Sequence, residues 1–151
     1  MNNDWAGLGV FIGGEFREGG AGSFAVENPA TLEVLAHVGD GDAHDAAETV
    51  GAARSAAESW ASRAPRDRAD ILRRAFELLH RDIGRLAGLI VAENGKSTKD
   101  ALAEIAYAAE FFRWFSEEAV RTTGNCGSSP AGGTRTIVTH RPVGVAALVT
   151  P

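Results

Sequence analysis

The sequence predicts a mixed α/β protein with an incomplete fold, and three observations support this class. Helical periodicity runs over residues 42–124, short strand-like segments precede it, and the apolar run Val143–Val149 ends the chain without a charge. A run of this kind between Pro142 and Pro151 is typical of a strand that is covered on both faces in a parallel sheet. Because the 151 residues hold no neighbouring strand of that type, we expect other residues to complete the sheet.

The composition is that of an ordinary soluble globular protein, with 44% hydrophobic and 23% charged residues. The net charge of −5 gives no reason to expect a nucleic acid or an anionic membrane as partner. The single cysteine excludes an internal disulfide and fits a reducing compartment. A basic n-region is lacking, and so is an apolar stretch of ~20 residues. We therefore expect a cytoplasmic protein.

The first forty residues predict short strands. Gly13 and Gly14 lie between two apolar segments, and glycine accepts the positive φ angles of a two-residue hairpin turn. Residues 24–26 and 34–38 have strand composition, and the sequence Asn-Pro-Ala-Thr at 28–31 predicts a turn between them.

The first helix is predicted to begin after Asp42, a favourable N-cap, with Asp45 three residues further on. Helical spacing places five residues on its inner face: Ala46, Val50, Ala53, Ala57 and Trp60. Since most of them are alanine, a neighbouring element can approach this helix closely.

The second helix is predicted from Pro65 to Gly95, because proline suits a first helical turn and glycine a C-terminal stop. Its apolar face is Leu72, Phe76, Leu79, Ile83, Leu86 and Ile90. The third helix begins with the N-cap Ser97 and ends near Gly124. Its predicted inner residues are Ile105, Ala108, Phe112, Phe115 and Ala119, and Phe111 and Trp114 predict packing on a second face.

Two segments of different character follow the helices. Residues 125–133 form a predicted loop rich in Gly and Ser. Residues 134–140 alternate polar and β-branched side chains, which favours a half-exposed strand, in contrast to the buried strand expected at 143–149.

The residues by themselves give no complete catalytic or metal site. The Gly95-Lys96-Ser97 sequence resembles the end of a phosphate-binding loop, but Ile90 stands where that loop needs glycine. The four histidines lack the spacing of zinc ligands, and helix capping explains the aspartates near residue 42. Cys126 follows a helix C-terminus, where the helix dipole disfavours a thiolate, so we expect a free thiol.

Five segments, in this order, resemble the aldehyde dehydrogenase superfamily. They include the hairpin Phe11–Phe16, the turn Glu27–Thr31 and the helix junction Glu93–Lys96. Residues Glu104–Ala119 resemble the succinate-semialdehyde dehydrogenase branch most, and Arg141–Pro151 is similar to the approach to the family's Thr-Pro-Trp-Asn motif. The resemblance covers nearly the whole chain.

The resemblance implies the N-terminal part of a Rossmann-type cofactor domain. Residues 1–133 would supply its outer elements, residues 134–142 an oligomerisation strand, and residues 143–151 the first cofactor-domain strand. The implied cofactor is NAD or NADP, contacted at Val149, Thr150 and Pro151. The implied substrate is a small aldehyde such as succinate semialdehyde, and the complete enzyme would be a homo-oligomer.

The same resemblance implies that these 151 residues are inactive alone. Members of the family oxidise an aldehyde through a cysteine thiohemiacetal, and a glutamate base assists hydrolysis. Neither motif occurs in the sequence, and Cys126 does not align with the nucleophile. The alternative interpretation is a non-catalytic oligomerisation or interaction module, in which the strand at 134–140 offers an exposed edge to another chain.

Overall fold

The computed structural model describes residues 9–150, and it contains three short two-stranded sheets and four helices. The strands are β1 (Val10–Ile12), β2 (Glu15–Arg17), β3 (Gly22–Glu27), β4 (Val34–Asp40), β5 (Asn125–Ser128) and β6 (Arg135–Val138). The helices are α1 (Ala43–Ser62), α2 (Pro65–Arg81), α3 (Ile83–Asn94) and α4 (Thr98–Glu118). None of the helices in this part of the chain is long and apolar enough to cross a membrane. The mixed α/β class is confirmed.

The first predicted hairpin is confirmed. β1 pairs antiparallel with β2, and the turn residues Gly13 and Gly14 have φ angles of +64° and +96°. Such angles favour glycine, because a Cβ would meet the neighbouring carbonyl. The register sets Phe11 opposite Phe16, with ring centroids 4.8 Å apart.

The second pair of predicted strands is also confirmed, since β3 pairs antiparallel with β4. The side chain of Asn28 forms the predicted turn by accepting a hydrogen bond from the Ala30 N–H at 2.9 Å. The Asn28 N–H donates to the Glu33 carbonyl at 2.9 Å, which closes the loop.

Helix α1 begins as predicted, but its predicted inner face is exposed. The Asp42 side chain accepts hydrogen bonds from the N–H groups of His44 and Asp45, and the Asp45 side chain accepts one from the Asp42 N–H. These bonds form a reciprocal capping box. The predicted inner face is not buried, because Val50 and Trp60 remain exposed and Asp45 is the buried residue of the helix. No large side chain from another described element covers this face.

The prediction of one helix from Pro65 to Gly95 is wrong, because the chain breaks at Asp82. Its φ and ψ are −100° and 10°, and its carboxylate accepts two hydrogen bonds from Arg81 at 2.8 and 2.9 Å. These bonds lower the pKa of the Asp82 carboxyl and favour the local turn. The end of α3 is as predicted, with Gly95 at φ +71° in the left-handed region.

The core lies where α4 packs against α2 and α3. Its centre consists of Ala87, Ala101 and Ile105, and the half-buried side chains of Ile83, Leu86, Ile90 and Val91 surround it.

The N-cap of α4 is confirmed, because the Ser97 Oγ accepts a hydrogen bond from the Asp100 N–H at 3.2 Å. The predicted inner face is largely wrong: apart from Ile105, the buried residues are Ala101, Ala109 and Ser116. Small residues allow the helices to approach closely, whereas the aromatic residues face outwards, Phe111 and Trp114 among them. The helix ends at Glu118 and not near Gly124 as predicted. Just beyond its end, the Thr122 hydroxyl donates to the carbonyls of Glu118 and Ala119.

The last part of the chain departs most from the prediction. The expected loop at 125–133 contains the strand β5, which pairs antiparallel with β6. The strand expected at 134–140 is present as β6. The buried strand expected at 143–149 is absent, because residues 139–150 have no regular secondary structure. A strand requires a hydrogen-bonding neighbour, and none of the described residues supplies one.

Candidate functional site

The candidate site is the groove between α1 and the terminal segment, defined here as residues 143–150. Its cavity volume is about 760 Å³. The helix contributes one set of lining residues, Ala46, Thr49, Val50, Ala53, Arg54 and Ala57, and the segment contributes Gly144 to Leu148. The alanine face of α1 and the apolar terminal segment therefore face each other across an open groove.

The sequence of α1 explains why the segment can lie there. Alanines at positions 46, 53 and 57 follow the helical period and project one methyl group each, so another backbone can approach closely. The sequence analysis expected that a neighbouring element could approach this face, and residues 144–148 lie on the opposite side of the groove.

The terminal segment is exposed along its length. Val145 retains 46% of its exposure, whereas Val143 and Leu148 retain 98% and 92%. None of the main-chain N–H or carbonyl groups of residues 143–150 is paired with the main chain of another described residue. The segment thus has apolar side chains and main-chain groups available for neighbouring strands.

The predicted cofactor residues lie at the far end of this segment. Val149 is 95% exposed and Thr150 follows it, also exposed; Pro151 lies outside the described residues. Val149 and Thr150 follow the last lining residue of the groove, Leu148, and are not among the residues that line it.

This end of the segment offers apolar and hydroxyl groups and lacks the features of a phosphate site. Val149 offers an apolar side chain, Thr150 a hydroxyl, and both offer unpaired main-chain groups. Arg54 is the charged residue among the lining side chains, and it lies on the opposite wall. Pyrophosphate recognition uses clustered N–H groups at a helix N-terminus, which this groove does not provide within the described residues.

The other residues considered from the sequence lie elsewhere. Cys126 is exposed on β5 opposite Ile137. Gly95 ends α3, and Lys96 forms an ion pair with Glu104 of α4, so this junction has no phosphate-binding loop geometry. Among residues 9–150, the acidic, cysteine and histidine side chains form no group of three that could hold a metal ion.

Fold and groove together define one class of protein. A helix with a small-residue face lies across a groove from an apolar segment whose main-chain groups are unpaired within the described residues, and an α/β domain places strands next to such helices. The family model described as "Aldehyde dehydrogenase family" matches residues 16–151. The chain belongs to the aldehyde dehydrogenase family.

Relatives with curated descriptions support the same placement. The chain is 45% identical over 118 residues to a succinate-semialdehyde dehydrogenase of Paenarthrobacter nicotinovorans, covering 78% of this chain and 26% of that protein. It is 38% identical over 141 residues to the mitochondrial succinate-semialdehyde dehydrogenase of Homo sapiens, covering 93% and 26%. The chain therefore spans about a quarter of the length of these relatives.

Solved structures agree. The succinate-semialdehyde dehydrogenase of Burkholderia pseudomallei superimposes with a TM-score of 0.76 and 38% identity, covering 80% of this chain and 25% of that one. The betaine aldehyde dehydrogenase of Staphylococcus aureus, solved in complex with NAD+, superimposes with a TM-score of 0.75 and 27% identity, covering 80% and 25%. The incomplete fold expected from the sequence is thus a part of a larger known fold.

Proposed function

We propose that the chain is the N-terminal part of an NAD(P)-dependent aldehyde dehydrogenase that oxidises succinate semialdehyde to succinate in the cytoplasm. Residues 1–133 form the outer part of the cofactor domain, residues 134–142 the oligomerisation strand, and residues 143–151 the first cofactor-domain strand. The match over residues 16–151 and the names of the relatives support this proposal.

One observation carries the proposal: the apolar terminal segment lines an open groove opposite α1, and its side chains and main-chain groups are exposed. Burying the exposed side of Val143, Leu148 and Val149 is favourable by about 25 cal/mol per Å² of apolar area. Pairing their main-chain groups also removes the penalty of leaving them unsatisfied when buried. Further strands of a parallel sheet meet both requirements.

The chain's own residues have a supporting role in the proposed reaction. A bound nicotinamide cofactor supplies the hydride acceptor. Val149, Thr150 and Pro151 contact it at the end of the segment, and α1 flanks that segment on one side of the groove. The nucleophile and base come from other parts of the polypeptide.

The experiment that tests this function is an assay of the complete gene product. Purified enzyme should form NADH or NADPH when succinate semialdehyde is added, with higher kcat/KM than for acetaldehyde or betaine aldehyde. A complete product without aldehyde-dependent reduction of either cofactor would contradict the proposal. A product that prefers another aldehyde would retain the reaction class and overturn the substrate.

A chimera tests the structural part of the same proposal. The chain replaces the matching N-terminal quarter of the Paenarthrobacter enzyme, and the chimera is assayed with succinate semialdehyde. Retained activity is expected, because the two sequences are 45% identical over the shared region. A folded but inactive chimera would show that these residues do not serve the cofactor domain.

We also propose that residues 1–151 alone are inactive. The family's cysteine and glutamate motifs are missing from these residues, and the terminal segment is open on one side. The purified 151-residue chain should give no aldehyde-dependent NADH above the rate without protein. Measurable turnover would contradict this prediction.

A second candidate function, a non-catalytic oligomerisation module, is favoured by one feature. The β5–β6 hairpin is exposed throughout, and Ile137 of β6 keeps 75% of its exposure. An exposed apolar strand pairs readily with another chain. Light scattering after size-exclusion chromatography decides: a concentration-dependent dimer that Ile137→Lys abolishes supports this module, and a monomer at all concentrations contradicts it.

A further inference from the structure

Helix α1 is attached to the rest of the molecule mainly by its first turn. Asp45 is its buried residue, with 9% of its surface exposed, and β1 is the strand against which the helix packs. Beyond that turn the helix is almost entirely exposed, although its alanine face is the floor of the groove. The contacts of the first turn therefore fix the direction of α1, and the rest of the helix forms one wall of the groove.

Two side-chain hydrogen bonds cross from α1 to the β-hairpins. The Gly20 N–H donates to Oδ2 of Asp45 at 2.7 Å, and Arg17 donates to Glu48 at 2.7 Å. In the described part of the chain, all other side-chain hydrogen bonds join residues no more than eight positions apart. These two bonds are thus the long-range polar links, and the Asp45 bond is the more buried one.

The Asp45 carboxylate is well suited to this link. The same Oδ2 atom also accepts the Asp42 N–H at 3.0 Å, so one oxygen joins the loop after β2 to the start of α1. An ionised carboxylate is an acceptor on both oxygens, and its hydrogen bonds to main-chain N–H groups are stronger than those of a neutral acceptor.

We propose that Asp45 is a positioning residue that fixes α1 to the hairpins and thereby places the terminal segment for cofactor contact. The link itself stands independently of any enzymatic activity. Its consequence at Val149 and Thr150 rests on the proposed function.

Asp100 provides a matched comparison within the same chain. It occupies the third position of α4, as Asp45 does in α1, and its carboxylate accepts a hydrogen bond from the Ser97 hydroxyl at 2.8 Å. That bond is local, three residues along the chain. Asp100→Asn therefore changes a capping carboxylate without affecting a link between elements.

Amide hydrogen exchange of the chain, followed by NMR, tests the link directly. Asp45→Asn keeps the side-chain shape and one acceptor oxygen, and Asp45→Ala removes both. We expect exchange of the Gly20 amide to accelerate about tenfold or more in Asp45→Ala and less in Asp45→Asn. Amides in the middle of α4 should be unchanged, which shows that the variant is folded.

Two results would overturn the proposal. One is an unchanged Gly20 amide in a folded Asp45→Ala protein. The other is an equal acceleration in Asp100→Asn, because the effect would then come from general loss of capping.

The complete enzyme tests the consequence for the cofactor. Asp45→Asn should raise KM for the nicotinamide cofactor about tenfold while KM for the aldehyde stays the same, and Asp100→Asn should raise neither. Equal changes in both KM values, or none, would overturn the positioning role. An inactive wild-type enzyme would contradict the proposed function and leave the hydrogen-exchange result standing.

Discussion

Two regions of the molecule are held together in different ways. Helices α2–α4 share an apolar core around Ala87, Ala101 and Ile105. The hairpins and α1 are joined by hydrogen bonds through Asp45 and Glu48, and this region and the terminal segment leave large apolar side chains exposed. The helical region thus supplies its own stability, whereas the second region presents a surface to be covered. Regions that contact other parts of a protein are expected to be the less self-sufficient ones.

The largest effect should follow from a cavity in the helical core. Ile105→Ala removes a buried side chain, and substitutions of this type lower the free energy of unfolding by about 2–5 kcal/mol. Val50→Ala in α1 should change it by less than about 0.5 kcal/mol, because that side chain is exposed. Urea denaturation followed by circular dichroism measures both. Equal changes in the free energy of unfolding would contradict the expected difference between the two regions.

A smaller effect should distinguish the two N-caps. Asp42 accepts two N–H groups at 2.7 and 2.9 Å, whereas Ser97 accepts one at 3.2 Å. Loss of an N-cap lowers the free energy of unfolding by about 0.5–2 kcal/mol. We expect Asp42→Ala to lie near the upper limit and Ser97→Ala near the lower limit in the same urea titration. A larger effect of Ser97→Ala than of Asp42→Ala would show that the capping box of α1 contributes less to the free energy of unfolding than its hydrogen bonds suggest.

The polar attachment of α1 should also be sensitive to acid. Two hydrogen bonds from main-chain N–H groups lower the pKa of the Asp45 carboxyl. The bond from Gly20 has the larger effect and the bond from Asp42 the smaller one. The folded protein therefore binds this proton less readily than the unfolded chain. The stabilisation is complete above the ordinary aspartate pKa of about 3.9, and it is lost as pH falls through the lower native pKa.

This pH dependence can be isolated by substitution. The charges of His44 and Arg17 also lower the pKa of the Asp45 carboxyl. Two acidic residues lie nearby as well: Asp42, which accepts the Asp45 N–H, and Glu48, which pairs with Arg17. Between about pH 5 and pH 3 the urea midpoint of the wild type should fall further than that of Asp45→Asn. Parallel falls would show that other carboxylates dominate acid unfolding.

The smallest effect should be confined to the terminal segment. Val145 lines the groove opposite α1 and keeps 46% of its exposure, whereas Val143 keeps 98% and does not line the groove. Val145→Asp should release the segment and increase its cleavage by a broad-specificity protease, with little change in the urea midpoint. Val143→Asp is the matched control and should leave the cleavage rate unchanged. Equal cleavage of both variants would mean that α1 does not hold the segment.

Local chemistry in the sequence predicted the ends of elements well. The glycine pair of the first hairpin, the Asp42 and Asp45 capping box and the Gly95 helix end follow from backbone geometry that few residues allow. These features depend on residues close in sequence, so they can be predicted without knowledge of the fold.

Predictions that depended on a distant partner were less successful. The large aromatic residues of α4 were expected inside, but close helix packing selects small residues such as Ala101 and Ala109. The break at Asp82 depends on how its side chain pairs with Arg81, which apolar periodicity does not reveal. β5 has no strand propensity of its own and exists because β6 pairs with it.

The two parts of the candidate groove could be recognised in the sequence separately, but not the groove itself. The apolar run and the alanine face of α1 were both evident in the sequence, and the structure brings them together. Their contact could not be predicted, because about eighty residues separate them. The resemblance to aldehyde dehydrogenases identified the family, and the roles of Val149, Thr150 and Pro151 stay predictions.

The arrangement of α2, α3 and α4 has a consequence for the order in which the chain folds. The three helices follow each other with short connections, so their contacts close small loops at a low cost in chain entropy. The link from Gly20 to Asp45 spans 25 residues, and the contact between α1 and residues 144–148 spans many more. We expect residues 65–118 to form the folding nucleus, with α1 docking onto the hairpins afterwards and the terminal segment last.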